Sequence, residues 1–420
     1  MSAITHKNQY NTENIFTGDI MRKNFSVFFI ILAFMLSCSV LFGYSAVNKV
    51  SAESVTKSEN TVQLTQNSKS TILIDADSDT VLYANNENAC YPIASMCKIM
   101  TLLLCFERIA NNELSFNDKI IISDSAAGMG GSQVFLESGA EYPAEELIKS
   151  IVVASANDAC VALAEKICGS EELFVEKMND KARSLGMVNT VFVNCTGLPK
   201  AGQHSSAIDV SKMFSELVKY KDYFRFASIW MDEINHPEGR TTQISNTNKL
   251  IRFYKGCDSG KTGYTSEAGH CLCASAIRDG LRLIAVVISA PDSKTRFKEV
   301  SSMFNYGFGQ YESKTIVSTE TPLDFTVRVK NGKKATVPAL SERSVKVLCK
   351  KGEKHGYDME FIPNTIVRAP ISAHDNLGIL NIYENGVMID SVGVLAAENI
   401  DAKSYFDIVG DISGKWSLIG

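Results

Sequence analysis

The segment GHCLCASAIRDGLRLIAVVIS, residues 269–289, limits the fold more than any other stretch of the chain. Two apolar runs flank Asp279-Gly280, a dipeptide suited to the positive φ angles of a two-residue hairpin turn, so the segment reads as two antiparallel strands. The stretch just before it, GCDSGKTG at residues 256–263, looks at first like a phosphate-binding loop. Its spacing fails: a G-x-x-x-x-G-K-[ST] loop needs glycine five residues before Gly260, where Lys255 stands. Such a loop also opens a helix, and here a hairpin follows. Lys261, Thr262 and Gly263 must therefore serve an anion other than a nucleotide phosphate.

Upstream, STILIDADSDTVLYANN at residues 70–86 alternates around Asp77 to Asp79 and reads as a second hairpin. Between the two hairpins, apolar residues recur at helical spacing over residues 95–110, 144–154, 158–168, 171–185 and 208–220. A closing amphipathic helix is expected over 294–308. Strands at both ends with helices between them give an α+β fold: an antiparallel sheet flanked by helices, with an inserted helical subdomain, over residues 70–312. Short β-rich runs with Asn-Gly turns follow, predicting a small all-β domain over 313–400.

The N-terminus bears on compartment. Met21-Arg22-Lys23 precedes the apolar run FSVFFIILAFMLSCSVLFGY, and Val50-Ser51-Ala52 has the small residues of a cleavage site. Residues 1–52 are read as an extension with an export signal, placing the protein at the outer face of the cytoplasmic membrane or in the cell wall. Residues 53–69, rich in Ser, Thr, Gln and Asn, read as a linker. With 42 Lys and Arg against 47 Asp and Glu, the net charge of −5 offers nucleic acid no general attraction. Ten of the 11 cysteines follow the signal, mostly within apolar patterns where a thiol behaves as a small hydrophobe, so free thiols are expected. No metal-ligand spacing occurs and no cofactor is implied.

The chemistry is carried by YPIASMCKIMTLLLCF, residues 91–106. Ser95 and Lys98 stand three apart, so on a helix they share a face, and a neutral lysine there takes the serine proton without any histidine. Neutrality requires burial or a nearby cation, since a free lysine titrates near pH 10.4. The apolar neighbours of Lys98 supply the first and Lys261 is expected to supply the second. In IVVASANDACVALA, residues 151–164, Ser155 and Asn157 interrupt an apolar helical pattern, placing two polar side chains in a tight turn.

Ser95-x-x-Lys98, Ser155-x-Asn157 and Lys261-Thr262-Gly263 follow the order and spacing of the serine penicillin-recognising enzymes. The chain further resembles the D-alanyl-D-alanine carboxypeptidases of the low-molecular-mass penicillin-binding proteins, peptidase family S11, through GMGGSQVFLESGAEYPAEELIKSIVVASANDACVALAE, FVNCTGLP, NTNKLIRFYKG and KTGYTSEAGHCL. The resemblance implies the penicillin-binding/β-lactamase-like fold and the hydrolysis of peptidoglycan stem peptides ending in D-Ala-D-Ala. It also implies acylation by β-lactam antibiotics. In that reading Ser95 is the nucleophile, Lys98 its base, and Ser155 and Asn157 serve proton relay and substrate. Lys261, Thr262 and Gly263 line the cleft and meet a carboxylate, and the N–H groups of Ser95 and Tyr264 hold the oxyanion. Arg296 is the further candidate for pairing with the terminal carboxylate. A class A β-lactamase shares the three motifs, but no E-x-x-L-N string lies between Asn157 and Lys261; a non-catalytic wall-binding protein on the same scaffold is the other alternative. Over residues 401–420, Tyr405, Ile408, Val409, Ile412, Trp416 and Ile419 recur at helical spacing and suggest peripheral membrane contact.

Overall fold

The computed structural model describes residues 63–364 and 366–416. The expected export signal and the linker before residue 63 lie outside the described residues. So does the end of the tail, including Ile419.

The main sheet has five antiparallel strands: β1 (Ser70–Asp75), β2 (Val81–Asn85), β3 (Cys257–Thr265), β4 (Gly269–Arg278) and β5 (Leu281–Ala290). Their order is β2-β1-β5-β4-β3, so the two expected hairpins meet through β1 and β5, with Ile72 opposite Val286. Both turns have the backbone their residues suit, since Asp79, Asp279 and Gly280 all take positive φ (54°, 49° and 82°). The period of two along each strand feeds two separate cores. Ile72, Ile74, Cys271, Cys273, Ile284 and Val286 face one, whereas Leu73, Leu272, Ala274, Leu283 and Val287 face the other.

Five helices build the first core: α1 (Lys98–Ala110), α2 (Ala144–Ala154), α3 (Asn157–Cys168), α4 (Glu171–Ser184) and α5 (Ala207–Leu217). Their starts follow local chemistry, with the hydroxyls of Ser170 and Ser206 accepting from the N–H of Leu173 and Asp209. The other face is covered by α6 (Ser293–Gln310) through Val300, Met303 and Phe304. Each such fully buried side chain contributes about 1.5–3 kcal/mol. Residues 63–69, expected as the end of a linker, are instead docked on this helix. The buried Glu299 carboxylate accepts from the N–H of Gln66 (3.0 Å) and Asn67 (2.9 Å) and from the Ser68 hydroxyl. A polar stretch packs here because one carboxylate satisfies its donors.

Downstream, β6 (Tyr311–Val317) pairs with β9 (Val345–Lys350). A five-stranded antiparallel sheet combines β7 (Thr326–Arg328), β8 (Thr336–Ser341), β10 (Tyr357–Pro363), β11 (Asn376–Glu384) and β12 (Val387–Ala396) in the order β7-β8-β12-β11-β10. A third core, including Val337, Leu380, Ile382 and Val394, lies within it. The tail forms α7 (Tyr405–Trp416), on which Tyr405, Phe406, Ile408 and Val409 are exposed. All ten cysteines among the described residues are free. No helix among the described residues is long and apolar enough to cross a membrane.

Candidate active site

Ser95 lies on a single 3₁₀ turn, Ala94–Cys97, that leads directly into α1. Lys98 is the first residue of α1, so the two side chains meet at a helix junction rather than within one regular helix. Lys98 Nζ donates to Ser95 Oγ at 3.0 Å and to the Thr196 carbonyl at 2.6 Å. The lysine is 0% exposed. Burial pulls its ammonium below the usual lysine value, while the neighbouring Cys160, Cys97, Cys195 and Asp158 act in the opposite sense with less effect. Of the two causes expected from the sequence, burial among apolar neighbours is the main one, and Lys261 is not among the chief influences on Lys98. Lys261 is itself lowered well below the usual value, first by its own burial and then by the charge of Lys98.

Lys261, on β3, sends Nζ to Ser155 Oγ at 2.7 Å and to the Thr262 carbonyl at 3.0 Å. Ser155 ends α2 in the left-handed conformation (φ 63°), which reverses the chain into α3 and aims the hydroxyl at Lys261. Ala94 also takes positive φ (47°) immediately before the nucleophile. Each such non-glycine position costs on the order of 1 kcal/mol, and both stand in the cleft. Asn157 begins α3 with its Nδ2 donating to the Gly130 carbonyl at 2.7 Å, while its buried Oδ1 has no partner among the described residues. The adjacent Asp158 accepts from the N–H of Val134 (3.0 Å) and Leu136 (3.1 Å), which fixes the loop that Asn157 leans on.

Gly263 and Gly197 press on the nucleophile turn from two sides. A Cβ on Gly263 would lie 2.6 Å from the Ile93 carbonyl and 3.2 Å from Ser95 N. One on Gly197 would lie 2.1 Å from the Ala94 carbonyl. Only glycine permits either approach. The Gly263 contact brings β3 against the backbone at Ser95 N. Thr262 is buried beside Lys261, and the Tyr264 ring is 60% exposed, stacked on His270 with centroids 4.3 Å apart. Arg296, at the start of α6, is buried and donates through Nη1 to the carbonyls of Gly263 (3.0 Å) and Cys271 (3.1 Å). Its Nη2 reaches Ser293 Oγ at 3.4 Å, and its Nε has no partner among the described residues.

These contacts tie Lys98 to Ser95, Lys261 to Ser155 and Thr262, Arg296 to Gly263, and Gly263 to the Ser95 turn, whereas the Asn157 side chain bonds to Gly130. The segment 194–198 was not assigned a role by the sequence reading, yet it supplies the Thr196 carbonyl to Lys98. Asn194 Oδ1 accepts from Gly197 N at 2.7 Å and shapes that turn. The signal was present as a Thr-Gly pair, Thr196-Gly197, between Cys195 and Leu198, but a backbone carbonyl has no residue type to announce it.

A serine paired with a dehydrated lysine, on a turn pressed against an edge strand of the sheet, is equipped for acyl transfer through a covalent ester. Comparison with known proteins makes the class specific: the chain belongs to the D-alanyl-D-alanine carboxypeptidase family, which matches residues 54–292. Residues 311–402 match the C-terminal domain of penicillin-binding protein 5. The chain is 39% identical over 364 residues to the D-alanyl-D-alanine carboxypeptidase DacF of Bacillus subtilis (strain 168), spanning 86% of this chain and 92% of that one. It is 29% identical to the D-alanyl-D-alanine carboxypeptidase DacC of Escherichia coli (strain K12), over 81% and 86%. Among solved structures, penicillin binding protein 5 from Haemophilus influenzae superposes with a TM-score of 0.62 at 26% identity, covering 80% of this chain and 98% of that one. The family match decides for the carboxypeptidase over the β-lactamase and the wall-binding protein.

Proposed function

We propose that this enzyme removes the terminal D-alanine from peptidoglycan stem peptides through an ester on Ser95, and that β-lactam antibiotics acylate the same serine. The observation that carries the reading is the 3.0 Å contact between Ser95 Oγ and a fully buried Lys98 whose ammonium is destabilised by dehydration. Neutral Lys98 takes the proton from Ser95, whose oxygen attacks the carbonyl between the two D-alanines. The N–H groups of Ser95 and Tyr264 receive the oxyanion. As the carbon–nitrogen bond breaks, the leaving amine is protonated from Lys98 or along the Ser155–Lys261 contact. Water then hydrolyses the ester, and Lys98 serves as base again. The Lys261 Nζ, beside Ser155, and the hydroxyl of Thr262 are the hydrogen-bond donors that favour the free carboxylate of the departing residue. Asn157 Oδ1, buried without a partner, is the polar atom left to meet the substrate backbone or the Lys98 ammonium.

Export of the chain is part of the proposal, because its substrate lies outside the cytoplasm. Peripheral membrane contact through α7 is another part, supported by its exposed Tyr405 and Phe406. Incubation of the mature chain with a stem pentapeptide, with released D-alanine assayed, tests the activity. Release by the wild type and none by Ser95→Ala is expected, and equal release by both would refute the role of Ser95. Flotation with liposomes, with and without residues 402–420, tests the tail; equal recovery would remove that contact.

A further inference from the structure

The loop of residues 130–137 is held from its inner side by Asn157 and Asp158, the first two residues of α3. Asn157 donates from its backbone N–H to the Ser132 carbonyl at 2.7 Å and from Nδ2 to the Gly130 carbonyl, and the Asp158 carboxylate accepts from the N–H of Val134 and Leu136. The fit leaves no slack, since a Cβ on Gly131 would lie 2.9 Å from Asn157 Nδ2. Phe135 takes a left-handed backbone (φ 63°), which lets the N–H groups on either side of it meet one carboxylate. Its ring is 57% exposed and gains little packing to offset that strained conformation, so contacts to the backbone itself must hold it.

The outer side of the loop is held by Arg240, at the turn of the hairpin of Met231–Asn235 with Thr241–Ser245. Its Nη2 donates to the Phe135 carbonyl at 2.6 Å and to Glu137 Oε1 at 2.8 Å, and its Nε donates to the same carboxylate oxygen at 3.0 Å. Arg240 and Glu137 are both partly exposed, so as an ion pair they contribute little to stability. What the guanidinium fixes is the direction of the Phe135 carbonyl, because its N–H groups lie in one rigid plane. The hairpin behind it is braced: the buried His236 stands between the hydroxyls of Tyr142 (Nδ1, 2.8 Å) and Thr242 (Nε2, 2.9 Å), and Arg240 Nη1 reaches the Thr242 hydroxyl at 3.4 Å. The Tyr142 hydroxyl also accepts from Glu137 N at 3.4 Å, which closes a ring of hydrogen bonds between hairpin and loop.

We propose that Arg240 is a positioning residue for the reaction, one that acts through the loop on Asn157. By gripping the Phe135 carbonyl it keeps residues 130–137 in the shape that fixes the Asn157 side chain, whose Oδ1 is the polar atom left for the substrate backbone or the Lys98 ammonium. Without that grip Phe135 relaxes to an ordinary φ, its neighbours' N–H groups part from Asp158, and the Gly130 and Ser132 carbonyls shift under Asn157. The inference rests on the carboxypeptidase reading. It gives Arg240 no part in the bond-breaking step and gives the small hairpin a purpose in the site.

The test is a double-mutant cycle read by kcat/KM for Nα,Nε-diacetyl-L-Lys-D-Ala-D-Ala and, where turnover is too slow to follow, by the rate of acylation with benzylpenicillin. In the wild-type background Arg240→Ala is expected to lower the rate about five- to thirtyfold, the rate equivalent of releasing one left-handed residue that is not glycine. In the Asn157→Ala background the same substitution should cost less than about twofold, because the side chain it positions is gone. A general loss of folded protein would lower the rate equally in both backgrounds, so the cycle separates positioning from folding. Arg240→Lys, which keeps the charge and loses the planar fork, should fall nearly as far as Arg240→Ala. Equal losses in the two backgrounds, wild-type rates in Arg240→Ala, or full rescue by Arg240→Lys overturns the role of Arg240 and leaves the carboxypeptidase reading in place. Failure of the wild type to release D-alanine overturns that reading, and this inference with it.

Discussion

Replacing Gly263 with alanine tests whether the closeness of β3 to the nucleophile turn is what forms the oxyanion site. The new Cβ would meet the Ile93 carbonyl at 2.6 Å, where ordinary contact begins at 3.4 Å, and would also press on Ala94 Cβ and Ser95 N at 3.2 Å. All three atoms are backbone or a methyl group fixed to it, so no side chain can swing away. Strand and turn must separate by about 0.8 Å, the difference between those two distances. A misplacement of about 1 Å costs reactions of this kind roughly a hundredfold, and loss of an oxyanion donor costs about 10²–10³-fold. We therefore expect acylation by benzylpenicillin to slow by about 10- to 100-fold, with a loss of about 1–3 kcal/mol in stability from overpacking. Stopped-flow acylation and urea unfolding on the same preparations measure both. Gly309 serves as the control, being an α6 position with open space around its would-be Cβ. Gly309→Ala should leave acylation unchanged and stabilise the helix by about 0.5–1 kcal/mol. Wild-type acylation by Gly263→Ala would refute the reasoning.

Three further outcomes are expected. Since burial lowers the Lys98 ammonium, the acid limb of kcat/KM should lie below the usual lysine range, and Lys98→Arg should abolish turnover because guanidinium does not deprotonate; a limb at the ordinary lysine value contradicts a dehydrated base. Burial pushes the thiol of Cys160 up to about 12 and that of Cys271 up to about 11, so above the ordinary thiol value the folded chain keeps protons that the unfolded chain gives up. Stability should then fall as pH rises past about 9, by about 1.4 kcal/mol per pH unit for each such thiol, and urea midpoints independent of pH there would refute it. For Arg296→Ala, hydrolysis of the peptide should fall about 30- to 1000-fold if its guanidinium pairs with the terminal carboxylate, while acylation by a thioester lacking that carboxylate falls less than tenfold. Equal losses would restrict Arg296 to holding the Gly263 carbonyl.

The two hairpins, the closing helix and the interhelical turn at Ser155 were legible because each is announced locally, by Asp-Gly, by period or by polar residues in an apolar run. What joins them was not legible. The pairing of β1 with β5 links residues 70–75 to 283–288, and no local pattern encodes which of two buried strands becomes the neighbour. The small hairpin of Met231–Asn235 with Thr241–Ser245 escaped too, since its exposed polar strands carry little alternation. At the site, the residue types were readable and so was the burial of Lys98, announced by its apolar neighbours, but the expected influence of Lys261 on it was not met, because two lysines in separate motifs do not show how their charges will sit once the chain folds. Arg296 read as a partner for the terminal carboxylate, and only the fold shows its Nη1 committed to two strand carbonyls.

The central claim is that Ser95, activated by a buried neutral Lys98, becomes the acylated residue. Trapping the enzyme with benzylpenicillin, digesting it and locating the added mass by tandem mass spectrometry tests this most directly. The account expects one adduct per chain, on Ser95, absent from Ser95→Ala and formed far more slowly by Lys98→Met. An adduct on any other residue, or undiminished labelling of either variant, would contradict it.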